Sequence, residues 1–600
     1  MDQDYEPKAE SWLTLERAVY GVLLLAAAWL RFLHLGVRPL GPEEAAQAWA
    51  AWRLTQGLEV IGSGHSPLLL SLQYLTFLIT GAGDALARFW PALVGTGMVL
   101  LPYALRQRLG RVGALAASFV LAFSPTMVFF SRHSSGHIFV AAGALALFVA
   151  LLNWLDGRER WLVFAAAAAG AMLASGPEAW LMILVFIGLV WALKASQSAF
   201  PIPQSAIRNA LLAFGLTFGL GSTALLLHWR GLGLAADLLP AWLSSFLPRA
   251  GGYPWYWPAL RLLLDEPLAL FAGLAGIAWG LRRGDHPHPS LSLSGEGLGR
   301  GLAVWAGVAL LATTLAGGRQ PGDLLLVVVP LALLAGQALP PLAETSKLKA
   351  QSSKPQRAGQ RTEGDFEFEV WGWKFEVGLL LLVMLVLLVT LAIWLATYSR
   401  TYMGQVLWVA LAPAGLLLVI IVLYGFWSGW AVTARAAGVA ALLVLVLFSL
   451  SLAWGLSLDF NPARRGAVLR DMGAYGMRSL PATLEILSSQ RANDPHELAV
   501  DVVTAGEDDR LTPLLGWALR DFVRLRWVEK GVTADAAAVV VAPERLELPL
   551  GEGYAGQDFP LIARWTPQGL SGKPLWRWLL YREATAAPPM ESVVLWVRRS

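Results

Sequence analysis

The amino-acid sequence predicts a mainly α-helical membrane protein, a polytopic bundle of about thirteen transmembrane helices with a small C-terminal α/β domain. Hydrophobic residues make up 56% of the 600 residues and charged residues only 15%, whereas about a quarter of the residues in soluble domains are charged. Apolar runs of crossing length recur along the chain, for example at Val377–Leu395. After Ser457 the composition becomes that of a soluble domain.

Charged residues decide which apolar runs are predicted to cross the membrane. The second run, Pro67–Thr80, is shorter than the roughly 20 residues that a crossing helix needs, and it contains Gln73. If this run lies at the membrane surface, the basic loops between later spans all fall on one side, as the positive-inside rule requires. We therefore expect an amphipathic or re-entrant helix at 67–82 and crossing helices at about 18–33, 88–105, 111–130, 137–153, 160–175, 178–194, 209–228, 262–281, 301–316, 322–340, 377–396, 403–425 and 432–455.

This topology divides the chain into five parts. They are a cytoplasmic N-terminal segment (1–17), a transmembrane core (18–341) with an outer loop at 34–87, a disordered cytoplasmic linker (342–376), further transmembrane helices (377–456) and an extracytoplasmic α/β domain (457–600). In the last part, a helical stretch at 514–523 lies among short β-rich runs at 498–503, 537–541, 561–565 and 593–597. We expect a multi-pass protein of the plasma membrane.

Composition excludes several kinds of chemistry. The chain has no cysteine, so thiol nucleophiles, disulfide bonds and thiolate metal sites are ruled out. The acids cluster at span ends and in loops, whereas an ion-coupled transporter needs carboxylates near the middle of the membrane. We expect no nucleic-acid partner, the sequence identifies no cofactor, and a divalent metal ion stays an open alternative.

The predicted outer loop contains two adjacent acids, Glu43 and Glu44, directly after Gly41 and Pro42. Proline at the first helical position, acids in the first turn and Gly57 after the last turn are ordinary signals for the start and end of a helix. In the alternative interpretation, one carboxylate faces a membrane-embedded cavity, where it acts as a general base or helps to hold a metal ion. The local pattern leaves both open.

Seven further residues at the predicted outer face are candidates for substrate binding: His65, Arg132, His137, Glu178, Arg249, Trp255 and Tyr256. An arginine beside histidines suits the phosphate of a lipid-linked donor, and aromatic side chains can stack on sugar rings. Ordinary structural roles stay open for each of them, namely a loop histidine, a snorkelling arginine, a helix-start acid and an interfacial aromatic belt.

The order of these motifs resembles a known family. After one span the chain shows Pro42-Glu43-Glu44-Ala45, Gly64-His65-Ser66-Pro67, Gly83-Asp84 with Arg88-Phe-Trp-Pro91, Phe129-Phe-Ser-Arg132, Pro254-Trp-Tyr-Trp257 and, in the tail, Trp517-Ala-Leu-Arg520-Asp521-Phe522. This series is similar to the GT-C glycosyltransferases of the protein O-mannosyltransferase-like group (family 39). Within that group it is similar to the prokaryotic flippase-associated subfamily of N-glycosylation. The resemblance covers most of residues 15–280 and patches beyond.

The resemblance implies an enzyme that takes a sugar from a polyprenyl-phosphate donor and passes it to an acceptor on the outer membrane face. The family's catalytic acidic pair corresponds to Glu43 and Glu44, with Glu43 at the position of the usual aspartate. Under this hypothesis Glu43 or Glu44 deprotonates the acceptor, while Arg132, with His65 or His137, stabilises the departing phosphate.

This sequence departs from the family pattern at three positions. Ser135 and His137 stand where the family has an arginine and an aspartate, and Pro177 stands where it has a lysine, before Glu178. An alternative therefore stays open, in which a catalytically impaired homologue binds lipid-linked glycans or assists a flippase. The expected partners are a polyprenyl-phosphate-linked sugar, membrane lipids, a glycan or protein acceptor and, in the alternative, a flippase.

Overall fold

The computed structural model describes residues 14–60, 64–194, 203–248, 252–283, 296–338, 378, 382–390, 406–458, 469–504, 510–529, 538–550, 553–567, 570–583 and 586–599. Helices dominate this part of the chain up to residue 458, and a mixed helix–sheet domain follows. The predicted fold class, a polytopic helical bundle with a small C-terminal α/β domain, is confirmed.

The N-terminal half of the bundle begins with a helix close to the predicted first span. Its helices are α1 (Leu15–Phe32), α2 (Pro42–Thr55), α3 (Pro67–Thr80), α4 (Asp84–Met98), α5 (Arg106–Phe123), α6 (Pro125–Ser131), α7 (His137–Leu155) and α8 (Trp161–Leu173). A 3₁₀ turn, Leu101–Leu105, links α4 to α5. Within α5, Gly110 has a φ of +74°, a conformation that glycine adopts without steric cost.

The bundle continues to residue 458 with helices of very different length. They are α9 (Ala179–Lys194), α10 (Gln204–Ser222), α11 (Gly231–Ala236), α12 (Leu238–Ser244), α13 (Trp257–Asp265), α14 (Pro267–Arg283), α15 (Glu296–Leu315), α16 (Leu325–Ala338), α17 (Val406–Ser428) and α18 (Trp430–Leu458). A second 3₁₀ turn, Pro321–Leu324, leads into α16.

Five helical segments in the described residues are long and apolar enough to cross a membrane: Asp84–Phe123, His137–Leu155, Gly297–Leu315, Pro321–Ala338 and Ala436–Ser457. A sixth is added if α13 and α14, bent by 99° at residue 266, count as one broken span. Several predicted crossings appear as shorter apolar helices, such as Trp161–Leu173. The total of thirteen spans stays a prediction.

The bundle core is built around α7 and α16. Helix α16 is buried on all sides from Leu325 to Gly336, as expected for a helix surrounded by others. Gly113 of α5 and Gly336 lie against each other, because a Cβ on Gly113 would stand 2.4 Å from the Gly336 carbonyl oxygen. Such pairs of small residues let two helix backbones approach closely in a membrane.

In the described residues, the C-terminal domain is a six-stranded sheet with three helices. Its strands are β1 (Asp471–Gly473), β2 (Val500–Thr504), β3 (Leu525–Glu529), β4 (Val539–Pro543), β5 (Tyr554–Arg564) and β6 (Met590–Arg598), in the order β1-β5-β6-β4-β2-β3. Strand β2 runs parallel to β3 and β4, and the remaining pairs are antiparallel. The helices are α19 (Gly476–Ala492), α20 (Leu511–Ala518) and α21 (Gly572–Tyr581).

The C-terminal domain packs directly on α2, the helix that carries the acidic pair. Trp49 of α2 lies on Gly516 of α20, where a Cβ would stand 2.2 Å from the indole ring. The ring centroids of Trp49 and Trp527 are 5.8 Å apart. The indole of Trp517 donates to Asp84 Oδ1 at 2.9 Å. The outer loop is therefore held between the bundle and the C-terminal domain.

Candidate functional site

Glu44 is held inside the protein by a two-pronged ion pair. Arg88 of α4 donates from Nε to Oε1 and from Nη2 to Oε2, both at 2.6 Å, and neither side chain is more than 3% exposed. The carboxylate also accepts from the backbone N–H groups of Gly41 and Ser134, each at 3.1 Å. Arg88 donates further to backbone carbonyls of the outer loop, those of Leu35, Arg38 and Pro39.

This network fixes the charge of Glu44. Burial alone would raise the pKa of its carboxyl, but the charges of Arg88 and His133 outweigh that effect and lower the pKa to about 2. A carboxylate this acidic, with both oxygens already hydrogen-bonded, is a poor proton acceptor. Glu44 therefore holds the outer loop against α4, and the hydrogen bond that it accepts from Gly41 also caps the start of α2, as its sequence context allows.

Glu43, in contrast, is exposed and lines a cavity of about 410 Å³. Successive residues of an α-helix point about 100° apart, so one acid of the pair faces the interior while its neighbour faces the cavity. The polar side chains of the cavity wall come from the outer loop, the bundle and the C-terminal domain: Glu43, His133, Tyr253, Arg319, Gln320, Arg470, Asp471 and Arg510.

Positive charge exceeds negative charge on this wall. It holds three arginines against the carboxylates of Glu43 and Asp471. Asp471 is itself paired with Arg510 at 2.5 Å and with Arg564 at 2.8 Å. The cavity therefore suits an anionic ligand, with one carboxylate on α2 available beside it.

Of the three arginines that line this cavity, Arg319 comes from the helical bundle, between α15 and the 3₁₀ turn before α16. Its guanidinium donates to the carbonyl oxygens of Thr313, Thr314 and Tyr253, and no carboxylate in the described part of the chain pairs with it. A guanidinium has five N–H donors, and these three contacts leave two of them for a ligand. A phosphate accepts such paired donors well.

Two further groups on the wall have shifted proton affinities. Burial is the main cause that raises the pKa of the Tyr253 phenol to about 12, so the hydroxyl stays protonated and can donate. Burial also lowers the pKa of His133, although Glu44 and Glu43 act in the opposite direction. The Nδ1 atom of His133 is buried and has no hydrogen-bond partner in the described structure.

Arg132 and His65, both predicted to bind substrate, do not line this cavity. Arg132 is 3% exposed and donates to the carbonyls of Leu30, Arg31 and His34, at the C-terminal end of α1. In this position it satisfies helix-end carbonyls. His65 is also buried, in the loop before α3.

The structure brings His137 and Glu178 together behind the cavity wall. The imidazole Nδ1 and the carboxylate Oε1 are 2.7 Å apart, and both side chains are largely buried. His137 begins α7, and Glu178 directly precedes α9. The two predicted residues thus form one cluster, which Asp323 joins.

The predicted aromatic loop is only partly at the site. Trp255 and Tyr256 are 70% and 47% exposed and do not line the cavity, whereas their neighbour Tyr253 does. Arg249 lies outside the residues that the structure describes. Tyr253 belongs to the same aromatic run, although the prediction named its neighbours Trp255 and Tyr256 as ligands. Sequence reasoning did not single out Arg319, Arg470 or Arg510, because they come from separate segments that share no local pattern.

Taken together, the fold and the cavity define a polytopic membrane protein with a basic outer-loop pocket and one free carboxylate. The segment 64–218 matches the family model described as dolichyl-phosphate-mannose-protein mannosyltransferase. This match confirms the predicted resemblance to the protein O-mannosyltransferase-like group of GT-C glycosyltransferases over that segment. Membership of the flippase-associated subfamily stays a prediction. No curated protein matches the chain.

Several solved structures are similar to this chain over most of its length. ArnT from Cupriavidus metallidurans in the apo state is 17% identical, with a TM-score of 0.49 and coverage of 86% of each chain. The same protein bound to undecaprenyl phosphate is 16% identical, with a TM-score of 0.47 and coverage of 88% of this chain and 93% of that one. The Archaeoglobus fulgidus oligosaccharyltransferase is 13% identical, with a TM-score of 0.49 and coverage of 86% and 65%. These similarities assign no role to any residue.

Proposed function

We propose that this protein is a membrane glycosyltransferase that passes a sugar from a polyprenyl-phosphate donor to an acceptor at its outer face. The observation that carries the proposal is the exposed carboxylate of Glu43 in a cavity with three arginines. The family match supports the donor class, because that family is described by its use of dolichyl-phosphate mannose.

In this mechanism Glu43 takes the proton from an acceptor hydroxyl or amide as the acceptor attacks the anomeric carbon of the sugar. A bond forms between the acceptor and the anomeric carbon, while the bond between that carbon and the phosphate oxygen breaks. The electron pair leaves with the lipid phosphate. Arg319 stabilises the anion that departs, and Arg470 and Arg510 add positive charge from the C-terminal domain.

Arg319 replaces Arg132 as the proposed phosphate ligand. The N–H groups of Arg132 that donate in this structure already serve the carbonyls at the end of α1. Of the cavity arginines, only Arg319 belongs to the bundle, in which the lipid tail of a donor would lie. The nature of the acceptor, glycan or protein, and a flippase partner stay predictions.

The proposal is tested by sugar transfer from labelled polyprenyl-phosphate donors in proteoliposomes. We expect the Glu43→Gln variant to lose about 10²–10⁴-fold in kcat, the usual contribution of a general base, with donor binding retained. The exposed Glu59→Gln serves as a control, because Glu59 pairs with Arg230 and does not line the cavity. Wild-type turnover in Glu43→Gln, or donor binding without any turnover in the wild type, would contradict the proposal.

A further inference from the structure

Three side chains that can bind a metal ion converge behind the cavity wall. They are His137 at the start of α7, Glu178 before α9 and Asp323 in the 3₁₀ turn before α16. One ligand atom from each lies within 4.8 Å of the other two. Since the three residues are far apart in sequence, the packing of three different helix starts creates this group.

Glycines make that convergence possible. A Cβ on Gly322 would stand 2.3 Å from the imidazole ring of His137, and a Cβ on Gly136 would stand 1.9 Å from the carbonyl oxygen of Ser175. Only glycine lets the turn of Asp323 lie directly on the histidine ring. The backbone thus brings the three donors together, and chance contacts of long flexible side chains do not account for their positions.

The charges of this cluster do not balance. Two carboxylates face one imidazole, which carries at most a single positive charge. In the described residues neither Glu178 nor Asp323 pairs with arginine or lysine. The buried carboxylate of Glu44 has Arg88, and that of Asp265 has Arg261 and Arg582. Glu178 is buried and Asp323 half-buried, and negative charge withdrawn from water without such a partner is normally neutralised or bound to a metal ion.

We propose that His137, Glu178 and Asp323 bind one divalent cation of the Zn²⁺ or Mn²⁺ type, with water at the remaining positions. One imidazole nitrogen and two carboxylate oxygens are the ligand types that these ions accept. Bonds of about 2.0–2.2 Å place two neighbouring ligands roughly 2.8–3.6 Å apart, depending on the coordination geometry. Nδ1 of His137 and Oε1 of Glu178, now 2.7 Å apart, need to separate only slightly. A ligand atom of Asp323 lies within 4.8 Å of both, and its Oδ2 also accepts a hydrogen bond from the backbone N–H of Gln320 at 2.8 Å.

The cation would lie next to the cavity without being part of its wall. Gln320 and Pro321, which precede Asp323, line the cavity, whereas the three ligands do not. The proposal concerns metal binding and does not depend on the transferase activity. Its first consequence is structural, because one ion would link the starts of α7, α9 and α16.

Metal binding is measured on the full chain in detergent, purified with a tag that contains no histidine and stripped with a chelator. Calorimetric titration with ZnCl₂ or MnCl₂ and elemental analysis should give one tightly held ion per chain. We expect Asp323→Asn and Glu178→Gln to weaken binding at least about tenfold. The matched control is Glu485→Gln, which removes the acid of the exposed His496–Glu485 pair, 3.8 Å apart in the C-terminal domain.

Thermal unfolding gives a second readout that the ion pair alone would not produce. The ion should raise the unfolding temperature of the stripped wild type and of Glu485→Gln by more than that of Asp323→Asn. No bound ion in the wild type, or equal affinity in Asp323→Asn, would show a simple His137–Glu178 ion pair and overturn the proposal. If the variants do not fold, X-ray absorption of the metal-loaded wild type decides, since it must show one nitrogen and otherwise oxygen ligands.

Discussion

Glu43 and Glu44 are neighbours in sequence but meet different surroundings, because the turn of α2 sends one inward and the other to the cavity. The inward residue is satisfied by Arg88 and by backbone N–H groups. The outward residue, Glu43, is exposed to the cavity and is not held by a comparable ion pair in the described residues. The family resemblance pointed to the pair, and the structure supplies a reason to assign the two residues different tasks.

Replacing Glu44 should cost stability. Glu44→Gln leaves the buried guanidinium of Arg88 without its counter-charge, which typically costs about 3–5 kcal/mol. Because the folded state lowers the pKa of Glu44 from 4.5 to about 2, its charge stabilises the protein above pH 4.5. That contribution is lost as the pH falls from 4.5 towards 2.

Unfolding of both proteins in detergent across this pH range checks the prediction. The difference in stability between wild type and Glu44→Gln should be largest near neutral pH and shrink as the wild-type carboxyl is protonated. Glu43→Gln is the control, and its unfolding should follow the wild type at every pH. A difference that does not change with pH would show that the charge of Glu44 is not the cause.

Arg319 is predicted to act on the donor phosphate. Loss of hydrogen bonds to a charged group in Arg319→Gln should raise the KM for the donor about ten- to a hundredfold. Arg230→Gln, an exposed arginine paired with Glu59 away from the cavity, should leave KM unchanged. Steady-state kinetics with equal unfolding temperatures distinguishes a ligand effect from a folding defect, and an unchanged KM in Arg319→Gln would remove it from the phosphate site.

At the scale of elements, the contact between α2 and α20 decides whether the cavity is complete. Gly516→Ala introduces a methyl group that would stand 2.2 Å from the Trp49 ring, so the two helices must separate. Such overpacking costs about 1–3 kcal/mol. We expect faster proteolysis between the bundle and the C-terminal domain, together with reduced sugar transfer.

Gly553→Ala is the matched control for that experiment, because a Cβ there meets nothing within 4 Å. Its protease sensitivity and its activity should equal those of the wild type. If Gly516→Ala behaves like Gly553→Ala, the packing of Trp49 on α20 is not what holds the domain.

The strands that the sequence did not predict lie at the edges of the C-terminal sheet, and the predicted strands lie inside it. Helices α1 and α3 and the strands β2 and β6 coincide largely with the predicted apolar or β-rich runs, whereas the predicted runs overlap β4 only at 539–541 and β5 only at 561–564. Strands β1 and β3 were not predicted, and both lie at the edges of the sheet. Edge strands bury less apolar surface, so Asp471–Gly473 and Leu525–Glu529 carry no clear alternating pattern.

At the scale of the whole molecule, we predict that the C-terminal domain faces the outside of the cell. Because the chain has no cysteine, a single introduced thiol can report on this orientation. Ser489→Cys places a single thiol on an exposed helix of that domain. A maleimide reagent that cannot cross membranes should label it in intact cells, because the basic loops are predicted to face the cytoplasm.

Gln107→Cys is the matching control on a predicted cytoplasmic loop. Its exposed position at the start of α5 should react only after the cells are opened. Labelling of Gln107→Cys, and not of Ser489→Cys, in intact cells would invert the topology and place the cavity on the inner face.

The sequence predicted the acidic pair of the site but not the arginines that surround it. The acidic pair was visible as two adjacent residues in one loop, and the fold class followed from composition. The arginines of the cavity were not visible, because residues 319, 470 and 510 meet only after the bundle and the C-terminal domain pack together. The same holds for Asp323, which no sequence pattern links to His137 and Glu178.

The cavity is lined by residues from Gly41 to Pro513. The residues that the outer loop contributes are therefore synthesised long before those of the C-terminal domain. A nascent chain that has inserted its first helices carries Glu43 but not Arg470 or Arg510. Arg470 and Arg510 join the cavity only when the C-terminal domain has been made and has packed against α2, whereas Arg319 already belongs to the bundle. Under the proposed function, Glu43 therefore meets all three arginines only after the C-terminal domain has folded, and we expect a chain cut before Arg470 to transfer no sugar.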